Sequence, residues 1–150
     1  MRAVVQRVSE AKVVVHQKKV GEIKQGYTVL LGIEASDTLT DVNWLAEKIC
    51  KLRLFSDSDE KMNLDIQEVK GNILVISQFT LHAKTKKGNR PSYIRAAPPD
   101  YASQLYEDFI DALFQLLDQP IQSGEFGANM QITQTNDGPV TILIDTKNKE

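Results

Sequence analysis

The chain has 150 residues, 41% of them hydrophobic and 25% charged, and a formal net charge of −2. That is the size and balance of a single domain over residues 1–150, and no run reaches the roughly 18 apolar residues of a membrane span. The charge argues against a protein that wraps nucleic acid over a broad basic footprint; the lone cysteine, Cys50, cannot form an internal disulfide, and with only His16 and His82 no Cys/His zinc site can be assembled.

Met1 to Arg7 lacks the apolar stretch of a secretion signal, so the cytoplasm is the expected compartment. Val4-Val5, Val13-Val14-Val15 and Tyr27 to Ile33 are β-branched or apolar runs separated by breaks such as Val20-Gly21-Glu22 and Gln25-Gly26, which predicts three or four strands of a meander. After Asp37 the period changes. Val42, Leu45, Ala46, Ile49 and Cys50 fall on one helix face, with Ser36, Asp37, Thr38 and Thr40 available as caps, which predicts a helix over about 38–51. Cys50 on that face is a small core residue.

The run from Asn72 to Leu81 is apolar through its first half, as in a strand buried on both faces, and ends in polar residues. A second helix begins near Pro98-Pro99, carries Ala102, Leu105, Tyr106, Phe109, Leu113, Leu116 and Leu117 on one side, and stops at Gln119-Pro120. The chain closes with strand-like runs at 130–135 and 140–145, joined through Asn136-Asp137-Gly138-Pro139. That junction is odd for a hairpin, because Pro139 removes a ladder donor where the returning strand should begin. It reads either as a longer hairpin loop or as a cis Gly-Pro bond.

Two further features carry chemistry. Lys84, Lys86, Lys87, Arg90 and Arg95 lie together without an acidic residue among them, as a solvated loop or a local contact for phosphates. Ser77 and Thr80 are candidate nucleophiles; if the strand continued, Thr80 and His82 would share a face, although a lone histidine is usually structural.

Ser77-Gln78-Phe79-Thr80-Leu81 and Asn136-Asp137-Gly138-Pro139-Val140-Thr141 resemble the two signature motifs of the D-aminoacyl-tRNA deacylase family, in order and spacing. The similarity extends over Arg2 to Val8, Lys61-Met62-Asn63-Leu64, Gly88-Asn89-Arg90-Pro91-Ser92 and Gly124 to Ala128. The resemblance implies a mixed α/β fold, a partly closed β-barrel of two sheets covered by two main amphipathic helices. It implies a homodimer in which the Gly-Pro loop of one subunit enters the active site of the other. The partner would be the 3′ acceptor end of tRNA carrying a D-amino acid, with no cofactor, metal or membrane.

On that expectation the catalytic residues are Ser77, Gln78, Phe79 and Thr80. The N–H groups of Phe79 and Thr80 would stabilise the oxyanion, and Gln78 would orient the adenosine or the ester. Ester hydrolysis can draw on the vicinal ribose hydroxyl, since a well-placed intramolecular group contributes about 7 kcal/mol or more. Gly138 and Pro139 would reject an L side chain by clash and leave the D side chain, or glycine, untouched. Arg7, Met130 and Asn136 are the supporting candidates. The alternatives are hydrolysis with Thr80 as a true nucleophile and a non-catalytic RNA-binding module.

Overall fold

The computed structural model describes every residue from Met1 to Glu150. Its first strand, β1 (Arg2–Val15), is one 14-residue element, where the sequence predicted two separate runs. The buried series Ala3, Val5, Val8, Ala11, Val13, Val15 runs its whole length. Strict alternation slips twice at Val8, where the pairing register is irregular, and this hides the continuity. β2 (Lys18–Ile23) pairs antiparallel with the second half of β1, and β3 (Gly26–Gly32) with the first half.

Val20-Gly21-Glu22, expected to be a break, lies inside β2. A Cβ on Gly21 would stand 2.8 Å from the Ser123 carbonyl oxygen and 3.2 Å from Leu74, so this glycine marks a close approach of backbones and not a turn.

Helix α1 (Leu39–Cys50) is capped by Thr38, whose N–H donates to the Asp41 carboxylate at 2.9 Å. Its predicted face, Val42, Leu45, Ala46, Ile49 and Cys50, is buried. Burial, reinforced by the charge of Asp65, pushes the Cys50 thiol up to about 12, which leaves it an unreactive core group. Two short strands, β4 (Phe55–Ser56) and β5 (Met62–Leu64), form a separate small sheet.

β6 (Asn72–Ser77) then enters parallel to β3. Ile73 and Val75 join the main core while Leu74 and Ile76 join a second cluster, so the strand is buried on both faces as its composition predicts. It stops at Ser77, short of the expected Leu81, and Phe79–His82 form a 3₁₀ helix. Helix α2 (Pro99–Leu117) buries Ala102, Leu105, Tyr106, Phe109 and Leu113. Each large apolar side chain there contributes about 1.5–3 kcal/mol on leaving water. Leu116, expected on that face, is exposed although the helical period places it within the stripe, because it lies in the last turn of the helix.

β7 (Gln122–Ser123) lies parallel to β6. The last strand, β8 (Gln131–Asp145), corrects the predicted hairpin: both of its halves pair antiparallel with β1, from Arg2↔Asp145 to Val14↔Gln131. Gln6 pairs with Thr141 and Val8 with Asn136, so residues 137–140 bulge out opposite Arg7 alone. The Gly138-Pro139 bond within the bulge is cis.

The sheet order is β2-β1-β3-β6-β7, with β8 on the other side of β1. The Glu22 N–H reaches the Gln122 side chain at 3.4 Å, which brings β2 against β7 and nearly closes a barrel. Val8, Ala11, Val13, Ile23, Leu74 and Ile76 fill its interior, and the two helices cover the outer apolar face. No helix is long and apolar enough to cross a membrane.

Candidate active site

The signature motif sits where the parallel pair ends. Ser77 is in register with Leu31 on β3, and the Gln78 N–H donates to the Leu31 carbonyl at 2.7 Å. The chain then tightens: Leu81 N–H bonds the Gln78 carbonyl at 3.2 Å, and Ala83 N–H bonds that of Thr80 at 3.0 Å. The Gln78 side-chain amide donates to the Thr80 hydroxyl and closes the turn from outside. Phe79 and Thr80 are the first two residues of this 3₁₀ helix, so their N–H groups lie outside its ladder.

A cleft of about 690 Å³ opens beside the turn, lined by Ser77, Gln78 and Phe79 on one side, by Met130 and Ile132 on another and by the segment from Tyr93 to Ala102 on a third. The lining is mostly apolar, with its polar groups gathered at the motif. Phe79 is 56% exposed and meets Tyr93 edge to face, with centroids 5.0 Å apart. Thr80 lines a second hollow, of about 940 Å³, with Arg2, Trp44 and Asp145. The motif is thus a wall between two hollows. The smaller one suits an organic ligand better, because apolar walls around a few convergent polar groups are what such sites need.

Thr80 and His82 do not form the pair that a continued strand would have given. His82 is buried and neither of its ring nitrogens has a hydrogen-bond partner. Burial lowers its pKa, against the opposing effects of the Gly32 backbone and the Glu34 carboxylate.

Lys84, Lys86, Lys87 and Arg90 are exposed on a loop closed by a two-residue bridge between Lys84 and Ser92, with bonds of 2.8 and 3.0 Å. Arg95 stands apart from them, 3.3 Å from Glu34.

Gly138 and Pro139 line neither hollow of their own chain. Arg2 reaches the Leu81 carbonyl at 3.0 Å, which places the motif turn near the start of β1, whereas the bulge lies opposite Arg7, about 17 Å of strand away. Arg7 holds the bulge: its guanidinium donates to the Asp137 carbonyl at 2.9 Å, lies 3.3 Å from the Asp137 carboxylate and also bonds the Leu54 carbonyl. Asn136, at the edge of the bulge, accepts from Gln134 at 2.7 Å. Of the supporting candidates, Met130 therefore belongs to the cleft, and Arg7 and Asn136 to the bulge.

Sequence reasoning missed Tyr93, Phe126 and Glu34. Tyr93 directly follows Arg90-Pro91-Ser92, and an aromatic next to such a motif was a usable signal. Glu34 gave none, since its partners lie far along the chain.

Residues 4–145 match the family described as D-Tyr-tRNA(Tyr) deacylase. A D-aminoacyl-tRNA deacylase of Flavobacterium johnsoniae is 53% identical over 150 residues, and one of Akkermansia muciniphila 54%, with 100% of both chains covered in each case. Among solved structures, a c-Myc DNA unwinding element binding protein is 38% identical with a TM-score of 0.90, over 97% of this chain and 98% of that one. A probable eukaryotic D-amino acid tRNA deacylase shares the fold at a TM-score of 0.81 and 16% identity, over 95% and 97% of the two chains. With a family match over nearly its whole length and relatives more than half identical to it, the chain belongs to the D-Tyr-tRNA(Tyr) deacylase family.

Proposed function

We propose that this protein is a cytoplasmic editing hydrolase that cleaves the ester between a D-amino acid and the terminal ribose of tRNA, releasing both, and that it spares L-aminoacyl-tRNA. The observation that carries this reading is the Ser77–Thr80 turn, which sets polar groups and two unpaired backbone N–H groups at the rim of an apolar cleft. Water attacks the ester carbonyl with help from the vicinal ribose hydroxyl. The N–H groups of Phe79 and Thr80 stabilise the oxyanion, each contributing about 3 kcal/mol. The Thr80 hydroxyl is already engaged by Gln78 and His82 offers it no hydrogen bond, which favours this route over Thr80 as nucleophile.

Stereochemistry falls to Gly138 and Pro139 of a second subunit. The separation of bulge and turn within one chain supports a homodimer. So do the unpaired outer edge of the 15-residue β8 and the apolar exposure of Leu143 (70%) and Ile94 (80%). Rejection by clash also admits glycyl-tRNA, which has no side chain to exclude. Lys84, Lys86, Lys87 and Arg90 offer a local contact for tRNA phosphates. The test is the release of D-tyrosine against L-tyrosine from charged tRNA by the purified protein. Fast release of the D form alone supports the proposal, and equal rates, or none above the uncatalysed ester, refute it.

A further inference from the structure

The motif turn is anchored inward at one residue. His82, the last residue of the 3₁₀ helix, is 2% exposed and turns its ring under the turn. Gly32 at the end of β3 makes room for it, since a Cβ there would lie 3.1 Å from His82 Cδ2 and 3.0 Å from both the Gln78 carbonyl oxygen and Leu81 Cβ. On its other side stands Glu34, also buried. One carboxylate oxygen of Glu34, Oε2, is 3.7 Å from His82 Nδ1 and 3.3 Å from the Arg95 guanidinium, while Oε1 accepts from the Ser36 hydroxyl at 3.2 Å. The Glu34 backbone bridges to Ala96, and the Ala97 N–H donates to the Ile33 carbonyl at 3.0 Å. Glu34 therefore touches both walls of the cleft: the motif turn through His82 and the Tyr93–Ala102 segment through Arg95 and Ala96.

We propose that His82 is a positioning residue for the deacylation, setting through Glu34 the seat of the Phe79–Thr80 donors against the opposite cleft wall. A neutral imidazole has one N–H, and Nδ1 faces the oxygen that Arg95 shares from 3.7 Å, within electrostatic reach but beyond a hydrogen bond. A protonated imidazole competes with Arg95 for that oxygen and shifts one wall relative to the other. The charged groups facing the ring are Glu34, which favours protonation, and Arg2 and the Met1 ammonium, which oppose it. Burial opposes it most, and the net effect lowers the His82 pKa from its ordinary value, so the ring is neutral at neutral pH.

The role assigned to His82 rests on the hydrolytic reading above, and its test separates the two. On D-tyrosyl-tRNA, His82→Leu, which fills the space without a donor, should lower kcat about tenfold with little change in KM, because small displacements of positioned groups act on the transition state. His82→Asn carries an amide N–H where Nδ1 stands. It should recover kcat to within about threefold at neutral pH and lack the acid decline that the wild type shows as the ring titrates. Independently of any substrate, the backbone amide NMR signals of Phe79 and Thr80 should follow the His82 titration in the wild type and stay fixed in His82→Asn. Equal kcat and pH profile in all three proteins, equal damage in both variants with lowered melting temperatures, or amide signals blind to the titration would overturn the proposal. If the wild type does not hydrolyse D-tyrosyl-tRNA, the hydrolytic reading fails and the amide titration alone decides whether His82 sets the turn.

Discussion

Gly32→Ala isolates the seat of the motif turn from its chemistry, because residue 32 lines neither hollow and has a backbone conformation that any residue adopts. The added methyl carbon meets three atoms at 3.0, 3.0 and 3.1 Å: the Gln78 carbonyl oxygen, Leu81 Cβ and His82 Cδ2. None is the free end of a flexible chain, so relief comes from moving backbone. β3 is held by ladders to β1 and β6 on its two edges, whereas the turn is bound to it mainly through the Gln78 N–H, and the turn is what moves. Overpacking of this kind costs about 1–3 kcal/mol. A site must be held to within about 0.5 Å to work, so a displacement of a few tenths of an ångström should lower kcat about tenfold. Urea titration gives the first quantity and single-turnover release of D-tyrosine from tRNA the second. A variant with unchanged activity and a stability loss of the expected size would refute the claim that the β3 end sets the donors. Unchanged values of both would refute the packing argument itself.

Thr80→Val should retain substantial deacylation, whereas replacing the terminal 2′-hydroxyl of a 3′-charged substrate by hydrogen should slow release far more; loss of all turnover in a folded Thr80→Val protein would restore the nucleophile mechanism. If Lys84, Lys86, Lys87 and Arg90 meet only a few phosphates, log K for tRNA should fall by about 0.7–0.9 per contact with log[salt], and neutralising two of them should make the slope shallower. Asp41 carries a pH-dependent contribution to stability. Burial alone would raise its pKa, but hydrogen bonds from Lys147, Thr146 and the Thr38 backbone hold its carboxyl well below the usual range. A depressed carboxylate pKa stabilises at neutral pH and is lost as acid protonates the group, so Asp41→Asn should cost about 1 kcal/mol at neutral pH and flatten the acid decline in urea midpoints.

What was legible in the sequence was local. The α1 face, its Thr38 cap, the α2 limits at Pro99 and Leu117, and the two-sided burial of Ile73 to Ile76 all follow from periodicity and end signals a few residues apart. Two of the misreadings share a cause: in each, a distant strand reinterprets a local signal. Gly21 reads as a turn until β7 is brought against it, and the polar middle of β1 reads as a break until β8 pairs along it. In the site, the motif turn was visible as a polar end to an apolar strand, but the cleft that gives it meaning needs Tyr93, Phe126 and Met130 from three other segments. Glu34 lies still further from legibility, since its partners His82 and Arg95 are joined to it only by tertiary packing.

The junction at Asn136 to Pro139 shows how an anomaly can be read correctly and placed wrongly. Proline after glycine is a poor start for a returning strand, and that objection to a hairpin was sound. What resolves it is that the strand does not return: β1 carries both halves of β8 on one edge, and the surplus residues are pushed out where β1 offers only Arg7 opposite them. A bulge re-aims backbone without ending a strand, and here its base is fastened by a largely buried guanidinium with three polar contacts. The segment is anchored in that way, yet it lines neither the cleft beside the motif turn nor the larger hollow. On the proposed reading it enters the cleft of a second subunit. The same reading divides the labour between them: donors at the end of a buried parallel strand would supply the chemistry, and an anchored bulge on an unpaired antiparallel edge would supply the stereochemistry.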